Sequence, residues 1–364
     1  MCNSPQTQHT QAPKILLVSH GSDLVTYMTF NSLAAKHNME VYIAAPADAN
    51  LPELSHCRRI TMAPIKSKWT TAARRSLRKI IKDNNMDLVH CVSTSALANT
   101  LAAAKHTGAI VTGYRGTQHR IHRFDPMNHL ALLNKRVAHI VCEGADIADH
   151  LANFVPASKL SIHAKPYDAE WVKEAMANPV KLEGEGLQIS YVGFTKGRPY
   201  KGLHYLIEAV NILNGRGMPC HLTVVGDADP KDMATAPTNV TFAGARTDAT
   251  HFIAAADVFV LPSTRDASPR VLREAQACGV PCIVSDIPGA RDLIIADGPQ
   301  QTGMLVPPAN AEAIADALAK FATLDTDQRQ KLSINCRANI ADNYQPDHYV
   351  QYFADLFNSL ITKK

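Results

Sequence analysis

The chain has 364 residues, which at roughly 100 to 200 residues per domain indicates two domains. Its 46% hydrophobic and 19% charged residues are typical of a folded globular protein and exclude disordered, collagen-like and low-complexity classes. The charge is uneven, because residues 1–168 carry 19 Lys and Arg against 11 Asp and Glu, whereas residues 169–364 carry 18 against 22. We therefore expect the first half to contact an anionic partner.

Membrane-spanning and metal-binding signals are missing from the sequence. No apolar run approaches the roughly 18 residues that a membrane-spanning helix needs, and residues 1–13 are polar without a hydrophobic signal segment, so we expect a cytoplasmic protein. The eight cysteines form no Cys-x-x-Cys pair and are expected to be reduced. His119 and His122 have no carboxylate or Cys at ligand spacing, so we expect no metal and no other cofactor.

The first half contains short apolar runs that alternate with helix-capable segments. The predicted strands are 14–19, 39–45, 87–92, 109–114 and 139–144. Each run is apolar throughout, which is typical of parallel strands covered by helices on both faces. Residues 164–187 contain two Pro and two Gly residues and no strand pattern, so we predict an interdomain linker there.

A second series of strands follows this linker. The predicted strands are 187–193, 221–227, 239–244, 257–263, 281–286 and 303–307, and residues 346–361 form an amphipathic helical pattern. The sequence therefore predicts an α/β protein with two Rossmann-like β/α/β domains that face each other across a cleft. We place the domains at 1–168 and 169–345, with a carboxyl-terminal helix at 346–364 that returns to the first domain.

The segment 261–289 holds two acidic residues in different settings. Asp266 follows a predicted strand, and Glu274 lies in a helix that begins near Pro269, a residue suited to a first helical turn. Backbone N–H groups at Arg270, Val271 and Leu272 have no partner within such a helix and would bind a phosphate. The alternative is an exposed Asp and an ordinary Glu on a helix face.

The same segment resembles the GT-B-fold glycosyltransferases of family 4. Their hallmark is an acidic residue, seven other residues and Glu, which here reads D-ASPRVLR-E, followed by ACGVPCIVSDIPG (277–289) and GMLVPPANAEAIADALAKF (303–321). The resemblance implies that Glu274 binds the ribose of a nucleotide-sugar and that Asp266, with Ser268 and Arg270, binds the donor sugar. Asp266 is one methylene shorter than the Glu that is more common at this position.

A cationic loop in YVGFTKGRPYKGLHYLIEAV (191–210) gives a second signal. Lys196, Arg198 and Lys201 would repel one another unless an anion joins them, and a diphosphate is such an anion. The family pattern of Gly-Arg, a spacer and Lys-Gly matches at Lys201-Gly202. The resemblance implies that Lys201 and Arg198 hold the donor diphosphate, with Lys196 as the substitute for Arg198. The alternative is a solvated surface loop.

Three further groups of residues are weaker candidates. Gly244 and Arg246 follow a strand and would flank the nucleobase, although a plain turn is the alternative. Gly21 offers a backbone N–H to the donor phosphates. On the acceptor side, Arg115 stands where many family members have His, and His119 and Arg120 follow it. No G-x-G-x-x-G motif follows the first strand, which argues against a dinucleotide oxidoreductase.

Residues 58–82 form a basic segment with nine Lys and Arg and no acidic residue. Part of it has helical spacing with a separate apolar face, and Trp69 precedes this part. This pattern favours a helix lying on an acidic membrane surface, and the alternative is a solvated helix packed on the sheet. Nucleic acid is not expected, because no aromatic ladder or binding motif accompanies the charge.

Together with these features, the resemblance implies a retaining glycosyltransferase with an acceptor-binding first domain and a donor-binding second domain. It would move a sugar from a nucleotide-diphosphate-sugar to a glycan or lipid-linked acceptor in bacterial surface polysaccharide synthesis, at the inner membrane face. No Ser-His-Asp or Cys-His arrangement is evident, so catalysis would depend on charge stabilisation of the leaving diphosphate. The alternatives are a nucleotide-sugar epimerase of the same fold and a non-catalytic nucleotide-sugar-binding protein.

Overall fold

The computed structural model describes residues 11–117 and 121–363. These residues form two compact units. The first unit comprises the chain up to Glu143, the segment Ile147–His163 and the segment from Asp347 onward, and the second comprises Gly144–Asp146 and Ala164–Pro346. Each unit contains one parallel β-sheet whose strands alternate with helices. The predicted two-domain α/β fold is therefore confirmed.

The first unit is built on a seven-stranded sheet. Its strands are β1 Lys14–Val18, β2 Glu40–Ala45, β3 Arg58–Thr61, β4 Leu88–Cys91, β5 Ile110–Arg115, β6 Val137–Cys142 and β7 Leu160–Ile162. They lie in the order β3-β2-β1-β4-β5-β6-β7. Its helices are α1 Leu24–Lys36, α2 Thr71–Asp83, α3 Thr94–Ala103, α4 Pro126–His129, α5 Ala145–Ala152 and the carboxyl-terminal α14 Pro346–Thr362. β1 is buried from Ile15 to Val18, which explains its continuous apolar sequence.

Helix α14 packs into the core of the first unit. Its Phe353 and Phe357 rings lie 5.9 and 6.0 Å from the ring of Phe30 and 5.2 and 5.8 Å from the ring of His90, measured between centroids. His90 is buried and shares a hydrogen bond of 2.9 Å with Thr112. It therefore belongs to this aromatic cluster rather than to a ligand site.

Two strands of this sheet were not predicted. β3 and β7 are the outermost strands and have only four and three residues. The residues of β3 are largely exposed, so its sequence lacks the apolar run that marked the inner strands. As a result, the basic segment 58–82 begins as an edge strand, and only its part from Thr71 onward is helical.

The second unit is built on a six-stranded sheet. Its strands are β8 Leu187–Val192, β9 Cys220–Val225, β10 Val240–Gly244, β11 Val258–Leu261, β12 Cys282–Ser285 and β13 Gly303–Val306. They lie in the order β10-β9-β8-β11-β12-β13, so β8 and β11 are neighbours. Its helices are α6 Ala169–Ala177, α7 Leu203–Gly215, α8 Pro230–Thr235, α9 Ala249–Ala254, α10 Arg270–Ala277, α11 Pro288–Arg291, α12 Ala311–Ala322 and α13 Thr326–Asn343.

The segment 164–187, predicted as a linker, contains helix α6. Asp168 caps this helix, since its side chain accepts a hydrogen bond of 3.1 Å from the Trp171 N–H. Val172 of α6 is buried in the same hydrophobic core as Ile253 of α9. The helix is thus a structural part of the second unit, which the prediction of a linker missed.

Candidate functional site

The two predicted donor motifs meet at the carboxyl edge of the second sheet. One motif follows β8 and the other follows β11, and these strands pair directly. Lys201 Nζ donates a hydrogen bond of 2.6 Å to Asp266 Oδ2, and the two side chains are only 23% and 16% exposed. The structure therefore joins residues that are 65 positions apart in the sequence. Lys201 was expected to bind the diphosphate of a ligand, and in the structure it is already paired with a carboxylate of its own chain.

Gly202 explains why a glycine follows this lysine. It adopts φ of +72°, and a Cβ there would lie 2.0 Å from the Pro262 carbonyl oxygen. The neighbouring Tyr200 carbonyl accepts a hydrogen bond of 2.8 Å from the Thr264 N–H. The close backbone approach of the two loops holds Lys201 against Asp266, so Lys-Gly has a structural role in the ion pair.

The loop that carries Asp266 and Ser268 is held from two sides. A Cβ at Gly289 would lie within 2.4 Å of the backbone at Asp266 and Ala267, so the loop packs directly on α11. On the other side, the buried Arg273 donates a hydrogen bond of 2.8 Å from Nη1 to Ser268 Oγ. Sequence reasoning did not single out Arg273 or Gly289. A charged residue on the buried side of a helix is the signal that could have indicated Arg273.

Glu274 is buried in helix α10 beside two arginines. Arg270 Nε donates to Glu274 Oε1 at 3.2 Å. Burial raises the pKa of the Glu274 carboxyl above its usual value, and the positive charges of Arg270 and Arg273 partly offset this effect. The sequence motif thus places a hydrogen-bond acceptor where burial disfavours the ionised form of the carboxyl. Carboxyl groups with such a shifted pKa are frequent at functional sites.

The first turn of α10 differs in one respect from expectation. The helix begins at Arg270 with Pro269 as its N-cap. The Leu272 N–H donates to the Pro269 carbonyl at 3.1 Å, because the chain makes a tight turn at this point. Leu272 was expected to offer its N–H to a phosphate, and in this structure the N–H already has a carbonyl partner within the turn. Val271, also predicted, lies in the same first turn.

Lys196 and Arg198 lie on the outside of the cationic loop. The Lys196 side chain is 65% exposed, and its Nζ is 3.9 Å from Asp227 Oδ2. Arg198 is exposed, and its backbone N–H donates to the Thr195 carbonyl at 2.7 Å. Of the three predicted cations, Lys201 alone is partly buried and in hydrogen-bonding distance of a carboxylate.

The predicted nucleobase residues form a turn of their own. Gly244 has φ of +71° and is exposed. Arg246 donates from Nε and Nη2 to the Asp248 carboxylate at 2.7 and 2.8 Å, so its guanidinium is held by a residue of the same turn. This local geometry fits the plain-turn alternative.

At the carboxyl edge of the first sheet, the predicted residues end different strands. Gly21 follows β1 with φ of +85°, and a Cβ there would lie 3.1 Å from Ser93 Cβ. Arg115 is the last residue of β5, and burial lowers the pKa of its guanidinium, which remains a cation at neutral pH. His119 and Arg120 lie outside the described residues.

Three polar residues at this edge were not predicted. His20 Nδ1 and Ser93 Oγ share a hydrogen bond of 2.7 Å. Glu143 directly follows β6, and its N–H donates to the Arg115 carbonyl at 3.0 Å. Burial and the negative charge of Glu143 raise the pKa of Tyr114 well above its usual value. His20 and Glu143 could have been predicted as site residues, because each follows a buried strand at its carboxyl end.

Fewer basic side chains of α2 are exposed than the sequence predicted. Arg74 stacks 3.4 Å from the ring of Trp69, which is itself 61% exposed. Arg78 Nη1 donates to the carbonyls of Ala103 and Lys105. The remaining cations, Arg75, Lys79 and Lys82, are exposed. The helix therefore packs on the protein through two arginines and presents three cations to solvent.

The geometry of residues 11–117 and 121–363 bears on membrane crossing and on metal binding. None of the helices there combines the length and the apolar character needed to cross a bilayer. His, Cys, Asp and Glu side chains of the same residues form no group of three that could hold a metal ion.

Both units match known family models. Residues 21–171 match the model described as Glycosyltransferase Family 4, and residues 186–323 match the model described as Glycosyl transferases group 1. Both descriptions name the family that the D-ASPRVLR-E segment resembles.

Curated relatives share part of their length with this chain. CapM of Staphylococcus aureus, a capsular polysaccharide biosynthesis glycosyltransferase, is 26% identical over 190 residues, which are 50% of this chain and 48% of CapM. The UDP-Gal:alpha-D-GlcNAc-diphosphoundecaprenol alpha-1,3-galactosyltransferase of Escherichia coli is 31% identical over 121 residues, which are 33% of this chain and 30% of that protein. The matches thus span half or less of the length of these relatives.

Solved structures share the fold over nearly the whole chain. The crystal structure of Anabaena HepE in complex with UDP is similar with a TM-score of 0.74 and 17% identity, over 95% of this chain and 100% of that one. At this identity the likeness concerns the fold, and it extends over both units.

Proposed function

Because the chain belongs to the family 4, group 1 glycosyltransferases of the GT-B fold, we propose that it transfers a sugar from a nucleotide-diphosphate-sugar to a glycan or lipid-linked acceptor. We propose synthesis of a bacterial surface polysaccharide as its setting, since CapM is named for capsular polysaccharide and the E. coli relative for a diphosphoundecaprenol-linked sugar. The observation that carries the proposal is the Lys201–Asp266 ion pair, which joins the two donor motifs at one edge of the sheet.

In this proposal, Lys201 exchanges one anionic partner for another. A diphosphate offers more negative charge than one carboxylate, so the donor would draw Lys201 Nζ away from Asp266. Asp266 would then accept hydrogen bonds from hydroxyls of the donor sugar, next to Ser268. The 2.6 Å hydrogen bond holds the side chains of Lys201 and Asp266 at this edge of the sheet before the donor binds.

Bond cleavage places negative charge on the leaving diphosphate. Lys201 and the Val271 N–H would stabilise this charge more strongly in the transition state than in the bound donor, which is the requirement for catalysis. Arg198 and Lys196 are exposed and would contact the outer phosphate oxygens. Since the chain itself supplies cations at this edge, we propose transfer without a metal, with attack from the face that the diphosphate leaves and retention of the anomeric configuration.

The remaining assignments follow the same division between units. Glu274 would accept hydrogen bonds from the ribose hydroxyls, and residues 169–345 would bind the donor. Residues 1–168 would bind the acceptor, with Arg115 holding one of its oxygens. We propose that the exposed cations of α2 attach the protein to the inner membrane face, where a lipid-linked acceptor would be reached.

A thermal-shift screen of nucleotide-sugars tests the donor assignment. Selective stabilisation by one compound identifies both base and sugar, because a ligand that binds only the folded state raises Tm. We expect Lys201→Ala to lose this stabilisation and exposed Lys231→Ala, which lies on helix α8, to keep it. No stabilisation by any nucleotide-sugar would contradict the proposal.

Product analysis separates the alternative activities. Donor consumption that requires an added acceptor supports transfer. Conversion of the donor sugar without an acceptor would instead identify an epimerase, and selective binding without any conversion would identify a non-catalytic binding protein.

A further inference from the structure

A cavity of about 430 Å³ opens at the amino edge of the first sheet. It lies where β6 begins at Val137 and where residues 154–159 lead into β7. Gly21 and Arg115 lie at the opposite edge, because all strands of a parallel sheet begin at one edge and end at the other. The cavity is therefore distinct from Gly21 and Arg115, which are proposed to face the donor and the acceptor.

The cavity has an apolar interior and a basic rim. Six apolar side chains line the interior: Leu132, Leu133, Val137, Ile140, Phe154 and Val155. The rim is formed by Arg123, His129, Lys135 and Lys159, and no acidic side chain is among the described residues that line the cavity. This combination would accept a ligand that has an apolar body and an anionic head.

Lys159 is fixed at this rim. Its Nζ donates hydrogen bonds to the carbonyls of Lys135 and Val137 at 3.0 and 2.8 Å. The ammonium group is thus held in position by backbone oxygens, and no carboxylate among residues 11–117 and 121–363 forms an ion pair with it. The fold therefore fixes the positive charge of Lys159 at the mouth of the cavity.

The segment beside the mouth exposes apolar side chains. Phe124 is 93% exposed and follows the rim residue Arg123, and Met127 is also exposed on the short helix α4 that ends at His129. Aromatic and apolar side chains interleaved with basic ones are typical of segments that enter the lipid headgroup region. This exposure is independent of the cavity and indicates the same kind of partner.

We propose that this cavity binds one acyl chain of an anionic membrane phospholipid, whose phosphate is held by Arg123, Lys135 and Lys159. Phe124 and Met127 enter the same leaflet beside the bound lipid. A free sugar or phosphate would leave the apolar interior unfilled, and a lipid without net negative charge would leave the basic rim without a counterion. This site is separate from the exposed cations of α2 and does not depend on the transfer activity.

The experiment measures contact between the cavity and the lipid chain. Trp69 and Trp171 are changed to Phe, and Phe154→Trp places a single fluorophore in the cavity lining. Vesicles of phosphatidylglycerol with brominated acyl chains should quench this fluorophore, whereas brominated phosphatidylcholine vesicles should leave it nearly unchanged. Binding to phosphatidylglycerol vesicles without quenching would overturn the proposal, and so would equal quenching by both lipids.

Variants of the full chain separate the rim from general surface charge. Lys135→Ala should weaken phosphatidylglycerol binding about fivefold, because it removes one hydrogen bond to the lipid phosphate. The matched control is Arg136→Ala, which removes the same charge from the next exposed residue outside the cavity lining, and it should weaken binding by less than about twofold. Equal losses in both variants would overturn the rim assignment.

A third variant fills the interior without a change in charge. Leu133→Trp should lower affinity for phosphatidylglycerol vesicles at least about tenfold, because a chain of several methylenes is excluded. Leu133→Met keeps the volume and should bind as the native protein does. Undiminished binding by a folded Leu133→Trp protein would overturn the cavity assignment, and the exposed Lys135→Ala change provides the test if this variant does not fold.

Discussion

The two units arrange charge differently at the carboxyl edges of their sheets. In the second unit, Lys201 pairs with Asp266 at 2.6 Å and Arg270 with Glu274 at 3.2 Å. In the first unit, Arg115 ends β5, and His20 lies after β1 in a hydrogen bond with Ser93. A ligand of the second unit must therefore replace ion pairs of two neighbouring motifs, whereas the first unit brings Arg115, Glu143 and the His20–Ser93 hydrogen bond together from separate strand ends.

This difference determines how each edge would respond to mutation. Removal of one member of a partly buried ion pair takes a charged partner from the other, so a single substitution in the second unit affects two groups. In the proposal, Arg115 contacts a single oxygen of the acceptor and not the leaving diphosphate. We therefore expect larger and more specific effects in the second unit.

Lys201→Ala should give the largest effect, a loss of turnover of about 100-fold or more. The variant removes the partly buried cation proposed to stabilise the leaving diphosphate, and it takes the Lys201 ammonium group from Asp266. The initial rate of donor consumption in the presence of an acceptor measures this effect.

Lys196→Ala serves as the graded control for this prediction. Its side chain is largely exposed and 3.9 Å from the nearest carboxylate, so its loss should reduce turnover by less than about tenfold. Equal losses in the two variants would show that burial and pairing do not distinguish these lysines, and the comparison between the units would lose its basis.

Glu274→Gln should weaken nucleotide binding about tenfold, because hydrogen bonds to a charged acceptor are stronger than those to an amide. The same variant should raise Tm at neutral pH. Burial raises the folded-state pKa of this carboxyl, so the ionised form is less favoured in the folded than in the unfolded protein, and the stability it contributes at low pH is lost as pH rises through the folded-state pKa.

The pH dependence provides the check on this prediction. The Tm advantage of Glu274→Gln over the native protein should shrink as pH falls below the pKa of the carboxyl, because both side chains are then neutral. Titration calorimetry with the nucleoside diphosphate and melting curves across pH measure the two effects. A variant with weaker binding and lower Tm at neutral pH would contradict the assignment of a costly functional carboxylate.

The sequence predicted the donor motifs because each lies within one short segment. Lys201 and Gly202 are adjacent, and Asp266 and Glu274 are eight residues apart, so local spacing carries the signal. The ion pair between Lys201 and Asp266 was not predictable in this way, because it depends on the pairing of β8 with β11. Sheet order is a tertiary property that strand patterns alone do not specify.

The first unit was less predictable for the same physical reason. His20, Ser93, Arg115 and Glu143 come from the ends of four strands and form no contiguous motif. The inner strands were predicted from their apolar runs, whereas the edge strands β3 and β7 were missed because they are short and partly exposed. Burial on both faces gives the inner strands the continuous apolar sequence from which they were predicted. The edge strands are not buried on both faces and lack this sequence.

Arg115→Ala tests the role of the first unit with a smaller effect. We expect an increase of about fivefold in KM for the acceptor, the effect of one hydrogen bond, with KM for the donor unchanged. Arg246→Ala is the matched control in the second unit, since its guanidinium is held by Asp248 and should alter neither constant by more than about twofold. A change in donor KM alone after Arg115→Ala would contradict the proposed division between units.

The smallest expected effect concerns acid stability of the first unit. The His163 ring stacks on Tyr352 of α14 at 3.5 Å, and burial lowers the pKa of both His163 and the neighbouring His139 below 6.5. The stability that the neutral rings provide is present above pH 6.5 and is lost as pH falls through their folded-state pKa values. His163→Phe keeps the stacking and removes one titration, so the loss of stability below pH 6.5 should be shallower.

The two tryptophans allow this effect to be measured in one unit at a time. Trp69 belongs to the first unit and Trp171 to the second, so Trp171→Phe and Trp69→Phe backgrounds report the two melting transitions separately. At about pH 5, His163→Phe should raise Tm of the first transition by about 2 °C and leave the second unchanged. An equal shift of both transitions would show that the units unfold together, and the acid response could then no longer be assigned to the packing of α14 on the first sheet.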